Sequence, residues 1–100
     1  MSYAVIFIAE IAELDAEYVA TAEHLRQLAL NDYGCLEFTS FREGNREVAI
    51  SYWDREEQIL AWKQDHDHLR AQQQGRDKWY RSYRVQVVQI SREYRAGPGF

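Results

Sequence analysis

The most constraining feature of the sequence is its first strand-like segment, residues 3–12 (YAVIFIAEIA), which is apolar on both of its alternating faces. Aromatic and β-branched residues dominate this segment, and that composition is typical of a β-strand. A strand that is apolar on both faces has to be covered on both faces. A layer of structure is therefore expected on each side of this strand.

Apolar residues at helical and alternating spacings, with turn residues between them, predict the other elements. They are a helix over 14–32, strands over 35–43 and 46–53, a helical region up to about residue 75, and a last strand over 83–95. Asp15 and Asp54 are predicted to cap the two helical regions, and Gly44-Asn45 is predicted to form a hairpin turn because both residues tolerate positive φ. The second helical region is expected to break near residues 65–67, where short polar side chains can start a new helix.

The resulting order is β-α-β-β-α-β, which is the ferredoxin-like arrangement of the α+β class. An antiparallel four-stranded sheet would carry two helices on one face, and its other face would expose apolar residues. A large exposed apolar patch usually marks an interface, so the sequence predicts a homodimer in which two sheets face each other as a barrel. The 100 residues are expected to form one domain, with its core over 3–95 and a flexible tail over 96–100.

Charge and composition argue against several classes of protein. The net charge is −4 with both signs mixed along the chain, whereas a nucleic-acid-binding domain normally has a basic face. No window approaches about 18 consecutive apolar residues, so no membrane partner is expected, and the N-terminus lacks the pattern of a signal peptide. The single cysteine, Cys35, cannot form an intrachain disulfide and is expected to act as a small core hydrophobe. These features predict a cytoplasmic protein.

The segment 61–80 (AWKQDHDHLRAQQQGRDKWY) contains two of the three histidines and two of the three tryptophans of the chain. In a continuous helix Trp62 and His66 would be neighbours, because residues four apart share a face, and His68 would point away from His66. A His-x-His pair converges on a metal from a strand but not from a helix, so no metal site is predicted. His66 is the candidate to orient a substrate or to move a proton, since histidine titrates near neutral pH.

The whole pattern of elements and several short motifs resemble the antibiotic biosynthesis monooxygenase domain family over residues 3–95. The motifs are Trp53-Asp54, Ala61-Trp62-Lys63, His66-x-His68, Gly75-Arg76, Trp79-Tyr80 and the closing strand YRVQVVQISREY. The resemblance implies a dimeric α+β barrel with a pocket between the sheet and the helices, one wall of which comes from the second helix. Family members oxidise anthrone or quinol substrates with molecular oxygen and no metal or flavin, degrade heme, or process small signalling molecules, and many have no known activity.

The function expected from this resemblance is a cofactor-independent monooxygenase for a small aromatic, quinol-like substrate. The expected catalytic residues are Trp62 as a flat wall, His66 to orient or deprotonate, and Glu10 as a general base if it faces the helices. Arg42 or Arg84 would then pair with Glu10. The expected substrate-binding residues are Phe7, His68, Trp79, Tyr80 and Tyr83.

Structural interpretations of the same residues stay open. Glu10 fits a strand end that emerges into solvent, Trp62 fits simple core packing, and His66 fits a helix-break residue packed on Trp62. His68 fits a surface or capping position, and the aromatic residues at 79, 80 and 83 fit packing at a helix–strand junction. A dimer that binds a small ligand without turnover, or an isomerase for a small carbonyl compound, would use the same pocket.

Heme degradation is a further enzymatic alternative, with heme as the substrate. The heme-degrading relatives use an Asn, a Trp and a His, and by position Trp62 matches their Trp. Ile11 stands near the Asn position and Gln72 near the His position, and neither residue supplies the chemistry needed. Oxidation of an organic aromatic is therefore favoured over heme degradation.

Overall fold

The elements follow the order β-α-β-β-α-α-β in a computed structural model that describes residues 2–99. They are β1 (Ser2–Ile11), α1 (Ala16–Asp32), β2 (Glu37–Glu43), β3 (Arg46–Trp53), α2 (Glu56–Lys63), α3 (His66–Gln74), a π-helical turn (Gly75–Trp79) and β4 (Tyr80–Ile90). The predicted ferredoxin-like α+β fold is confirmed. Its second helical region is divided into two helices and a closing turn.

The sheet is antiparallel with the strand order β2-β3-β1-β4, so β1 is an inner strand. Phe7, in the middle of β1, lies between Ala49 of β3 and Val85 of β4. The helices cover the face to which the odd-numbered residues of β1 point, because alternate residues of a strand point to opposite faces. β1, the strand that is apolar on both faces, is thus an inner strand with one face under the helices.

The predicted cap of α1 and the predicted β2–β3 hairpin turn are confirmed, but the predicted cap of α2 is not. The Asp15 side chain caps α1 by accepting a hydrogen bond of 2.8 Å from the Tyr18 backbone N–H. In the β2–β3 hairpin only Gly44 has a positive φ, at 59°. The predicted cap at Asp54 was wrong, since α2 begins after Arg55, whose N–H donates to the Gln58 side chain at 3.1 Å.

The predicted helix break is confirmed, and Asp65 is the residue that starts the new helix. Its carboxylate accepts a hydrogen bond of 2.8 Å from the Asp67 backbone N–H and one of 2.7 Å from the Tyr33 hydroxyl. Because α2 ends at Lys63 and α3 begins at His66, the two helices do not share one continuous set of faces.

The last strand begins and ends earlier than the predicted bounds of 83 and 95. β4 runs from Tyr80, which pairs with Ile11 beyond a bulge, to Ile90, which pairs with Ser2. Residues 91–99 pair with no residue of β1 and do not form a strand. Both described ends of β4 therefore coincide with the ends of β1.

The core lies between the sheet and the helices, around Trp53, Ile59 and Trp62. The Trp53 ring nitrogen donates to the Ser51 hydroxyl at 2.9 Å, and the Trp62 ring nitrogen donates to the Leu25 carbonyl at 3.2 Å. Both indole N–H groups are therefore satisfied inside the core. Cys35 is buried in the same cluster, which confirms its predicted role as a small core residue.

The opposite face of the sheet carries apolar side chains and no helix. Alternation along the strands assigns to this face Ile6, Ile8, Val48, Ile50 and Val88. Val88 is 36% exposed, and the other four are partly exposed. This is the surface on which the predicted homodimer depends.

Within residues 2–99 no helix combines the length and the hydropathy needed to span a membrane.

Candidate functional site

A cavity of about 570 Å³ lies between the sheet and the helices, where the family resemblance places a pocket. Ligand sites in proteins usually have volumes of about 300–1,000 Å³. The cavity wall is formed by the sheet on one side and by α1, α2 and α3 on the other. Most of its lining residues are aromatic or aliphatic, and nine are polar or charged, among them Arg42, Glu47 and Lys63.

Six of the eight predicted site residues line this cavity, and two do not. Those that line it are Phe7, Trp62, His68, Trp79, Tyr80 and Tyr83. The two outside it are Glu10 and His66, both of which were expected to be catalytic. The aromatic part of the expected lining is thus brought together, and the expected acid–base groups are not.

The positions of the two histidines are the reverse of the prediction. The His68 ring stands at 85° to the Trp62 ring with 4.4 Å between centroids, and His68 is only 8% exposed. His66 lies in the first turn of α3 and is exposed. In a continuous helix His66 would have neighboured Trp62, but the helix breaks at Asp65, and it is His68 that packs on Trp62 and lines the cavity. The alternative in which His66 packs on Trp62 at the helix break is therefore wrong as well.

Burial keeps His68 uncharged. Desolvation, with a smaller contribution from the nearby Lys63 cation, lowers the pKa of His68 to about 4. Its Nδ1 atom is buried without a hydrogen-bond partner among the described residues. A neutral imidazole carries one donor and one acceptor, so His68 can orient a ligand hydroxyl. It is a weak base at neutral pH.

Glu10 lies on the face of the sheet that turns away from the helices. Its carboxylate pairs with the Arg46 guanidinium at 3.6 Å, directly across from it in β3, and its side chain is 46% exposed. The predicted partners, Arg42 and Arg84, were wrong. The condition under which Glu10 was a candidate base, that it faces the helices, is not met.

A polar cluster that the sequence did not single out occupies one end of the cavity. Glu47 of β3 lies beside Arg42 of β2 in the sheet and lines the cavity with Tyr18 of α1 and Tyr80 of β4. Burial raises the pKa of Glu47, and this is opposed by the charge of Arg42 and by a hydrogen bond from Tyr18. Burial also raises the pKa of both tyrosines, so their hydroxyls remain protonated donors.

The alternation of β3 could have indicated Glu47. Trp53 faces the core, and Ser51, Ala49 and Glu47 follow it at steps of two residues on the same face.

The residues that stand where the heme-degrading pattern has its Asn and His do not supply those groups. Ile11 is an apolar side chain that is 7% exposed, and Gln72 lines the cavity with an amide. Within residues 2–99 no three His, Cys, Asp or Glu side chains are grouped so as to hold a metal ion.

Gly75 provides space for the Tyr80 ring in the cavity wall. A Cβ atom at this position would lie 2.6 Å from Cε2 of Tyr80, a ring held by Phe7 and Tyr18. We expect Gly75→Ala to destabilise the fold, because overpacking costs about 1–3 kcal/mol and the gain in helix propensity is only about 1 kcal/mol. Urea denaturation would measure the loss, with Gln73→Ala at an exposed position of α3 as the control. Equal or greater stability of Gly75→Ala would contradict the close packing.

The fold is shared with solved structures described as a cofactor-independent oxygenase and as a putative antibiotic biosynthesis monooxygenase. SnoaB from Streptomyces nogalater, described as a cofactor-independent oxygenase, superposes with a TM-score of 0.77 at 13% identity over 92% of this chain and 95% of that one. A putative antibiotic biosynthesis monooxygenase from Nitrosomonas europaea gives a TM-score of 0.72 at 11% identity, with 90% of each chain covered. At these identities the likeness establishes the fold alone.

The sequence relationship is closer to a bacterial protein that has no assigned activity. The chain is 39% identical over 92 residues to the uncharacterized protein YqjZ of Bacillus subtilis, covering 91% of this chain and 81% of YqjZ. The chain therefore belongs to the YqjZ family. No family model matches the sequence.

Proposed function

We propose that the protein is an oxygenase that oxidises a small, flat, quinol-like aromatic with molecular oxygen and without a cofactor. The observation that carries the proposal is the partly open cavity that the Trp62 ring lines, with the His68 ring packed against Trp62 at 85° on the same wall. Flat apolar walls bind aromatic ligands, and a few polar groups fix their orientation. The shared fold with SnoaB, described as a cofactor-independent oxygenase, supports the same class of reaction.

In this proposal the protein positions and ionises the substrate, and the substrate itself reduces oxygen. A phenolate or enolate gives an electron to oxygen far more readily than the neutral compound does. Trp62 holds the ring system, and the neutral imidazole of His68 makes one hydrogen bond to a substrate oxygen. Phe7, Trp79, Tyr80 and Tyr83 complete the substrate wall.

Oxygen uptake with an anthrone tests the proposal. Dithranol, a dihydroxyanthrone, is the probe, and we expect oxygen consumption that saturates with dithranol and exceeds the rate without protein. Trp62→Phe and His68→Gln are expected to reduce this rate, whereas His66→Gln, at an exposed position, serves as the matched control. If purified protein adds nothing to spontaneous oxidation across a panel of anthrones and quinols, the proposed reaction is wrong.

A hemin titration separates this proposal from heme degradation. Because Ile11 and Gln72 occupy the positions of the Asn and His, we expect no saturable, stoichiometric shift of the hemin Soret band. A saturable shift, followed by decay to a bile-pigment-like product when a reductant is added in air, would assign heme as the substrate. Saturable binding of an aromatic without oxygen uptake would instead indicate a ligand-binding protein.

We further propose that the protein is a homodimer joined through the helix-free face of the sheet. The support is the row of apolar side chains on that face, among them Ile6 at the centre of β1. Ile6→Lys is expected to convert the dimer to a monomer in sedimentation velocity, since a buried unpaired charge strongly opposes association. Leu60→Lys, at a 53% exposed apolar position on α2, is the control and should leave the dimer intact. A monomeric wild-type protein would contradict the proposal.

A further inference from the structure

We propose that Glu47 accepts the proton of a substrate hydroxyl, and that the substrate is a fused-ring phenol bound with that hydroxyl at the Glu47 end of the cavity. The inference rests on the proposed function for its chemistry and adds the base and the substrate orientation. It replaces Glu10 and His66, neither of which lines the cavity.

The position of Glu47 follows from the register of the sheet. Across the helix-facing side, Arg42, Glu47, Ala9 and Tyr83 form one row, because Glu47 pairs with Arg42 on one side and with Ala9 on the other, and Ala9 pairs with Tyr83. Ala9 is buried at 1% exposure, whereas the other three residues of the row line the cavity. Tyr18 reaches the same place from α1.

The charged and titratable groups that face Glu47 suit proton transfer. They are Arg42 on β2, Tyr18 on α1, and Tyr80 and Tyr83 on β4. Burial raises the pKa of the Glu47 carboxyl above that of a surface carboxyl, which makes its ionised form a stronger base. Burial also raises the pKa of Tyr18 and Tyr80, so both hydroxyls stay protonated and can donate hydrogen bonds to an oxyanion.

The step moves one proton and no electrons. The O–H bond of the substrate breaks, its electron pair stays on the substrate oxygen, and the proton forms a new O–H bond with a Glu47 carboxylate oxygen. The negative charge thus moves from Glu47 to the substrate oxygen, and in both places it lies near the Arg42 guanidinium. A nearby cation and preorganised donors stabilise the charge where it develops.

The separation along β2 between the Trp62 end and the Glu47 end of the cavity sets the size of a substrate that contacts both. Phe38, whose ring lies 6.1 Å from that of Trp62, is four residues before Arg42 on β2. At the rise of a β-strand this separation is roughly 13 Å. A single ring stacked on Trp62 would not reach the Glu47 end, whereas a fused-ring aromatic spans both ends.

The placement of the hydroxyl is tested without turnover by a spectral titration of bound alizarin, a dihydroxyanthraquinone whose colour reports ionisation. In the wild type the Glu47 carboxylate disfavours a second negative charge beside it. Glu47→Gln is therefore expected to lower the pKa of the bound dye by about one unit or more. Glu43→Gln, at an exposed position in the same hairpin, is the matched control and should leave that pKa unchanged. An equal pKa in all three proteins, or failure of alizarin to bind, overturns the inference.

The role as base is tested with dithranol under air. Glu47→Gln is expected to lower kcat by about 100-fold or more with little change in KM, and to remove the acidic limb of the pH profile. Glu47→Ala should regain part of its rate when acetate is added. An unchanged kcat in Glu47→Gln would overturn the inference while leaving the oxygenase proposal intact. If the wild type consumes no oxygen, the proposed function fails, and the alizarin titration still decides where the hydroxyl binds.

Discussion

Replacement of Trp53 by alanine is expected to lower the free energy of unfolding by about 3–5 kcal/mol, a large fraction of the 5–15 kcal/mol that stabilises an ordinary domain. The Trp53 side chain is fully buried, and its ring lies 5.4 Å from that of Trp62. The truncation leaves a cavity and also leaves the Ser51 hydroxyl without the indole N–H it now accepts from. The new cavity and the unpaired hydroxyl would both lie in the core cluster that contains Trp62, which lines the binding cavity.

Urea denaturation of the purified variant measures this loss. The control is Tyr94→Ala, because that aromatic side chain is 84% exposed and its truncation should change stability by less than about 0.5 kcal/mol. The Trp53→Phe variant retains an aromatic ring and should fall between the two. If Trp53→Ala lost under about 1 kcal/mol, the surrounding side chains would have to collapse into the space far more completely than core substitutions usually allow.

The fold could be predicted because its signals are local. The composition of β1, the turn at Gly44 and the cap at Asp15 each depend on a few adjacent residues, and together they give the order of elements. The bounds of β4 could not be predicted in the same way. That strand ends where β1 ceases to pair with it, and its partner residues are far away in the sequence.

The aromatic lining of the cavity was also predictable, but the polar groups were not. The rule that residues four apart are neighbours holds only within one helix, and the break at Asp65 exchanged the roles of His66 and His68. The position of the break was visible in the sequence, whereas the rotation that it introduces depends on how α3 packs.

Glu47 shows a second limit of the same kind. A charged residue close to a hairpin usually lies in solvent, and only its place on the helix-facing row, beside Ala9 and Arg42, puts it in the cavity. A general base was expected in the first strand because an isolated carboxylate there interrupted an apolar pattern. The structure pairs that carboxylate with Arg46 on the outer face instead.

The low pKa of His68 predicts a specific loss of stability in acid. The pKa is about 4 in the folded protein and about 6.5 in an unfolded chain, so between these values the unfolded state binds one more proton at this site. Stability must then fall as the pH decreases from about 6.5 towards 4, by about 3 kcal/mol in total. The pKa of His68 is low mainly because burial removes water from around the ring and so disfavours its charged form. The Lys63 charge lowers this pKa further, and the Asp65 charge raises it.

Urea denaturation of the wild type, His68→Gln and His66→Gln at several pH values from 7 to 4 isolates this effect. Asp15 and Asp65, whose pKa values are lowered mainly by hydrogen bonds, also lose stabilising interactions in acid, but they do so in all three proteins, so most of this loss cancels in the differences. We expect the stability of His68→Gln to depend less on pH than that of the wild type, so that the two curves converge or cross towards pH 4. His66→Gln should run parallel to the wild type, because that ring is exposed. A constant difference between wild type and His68→Gln over this range would mean that His68 is charged inside the fold, and a cationic ring beside Trp62 would then bind an anionic ligand rather than orient a neutral hydroxyl.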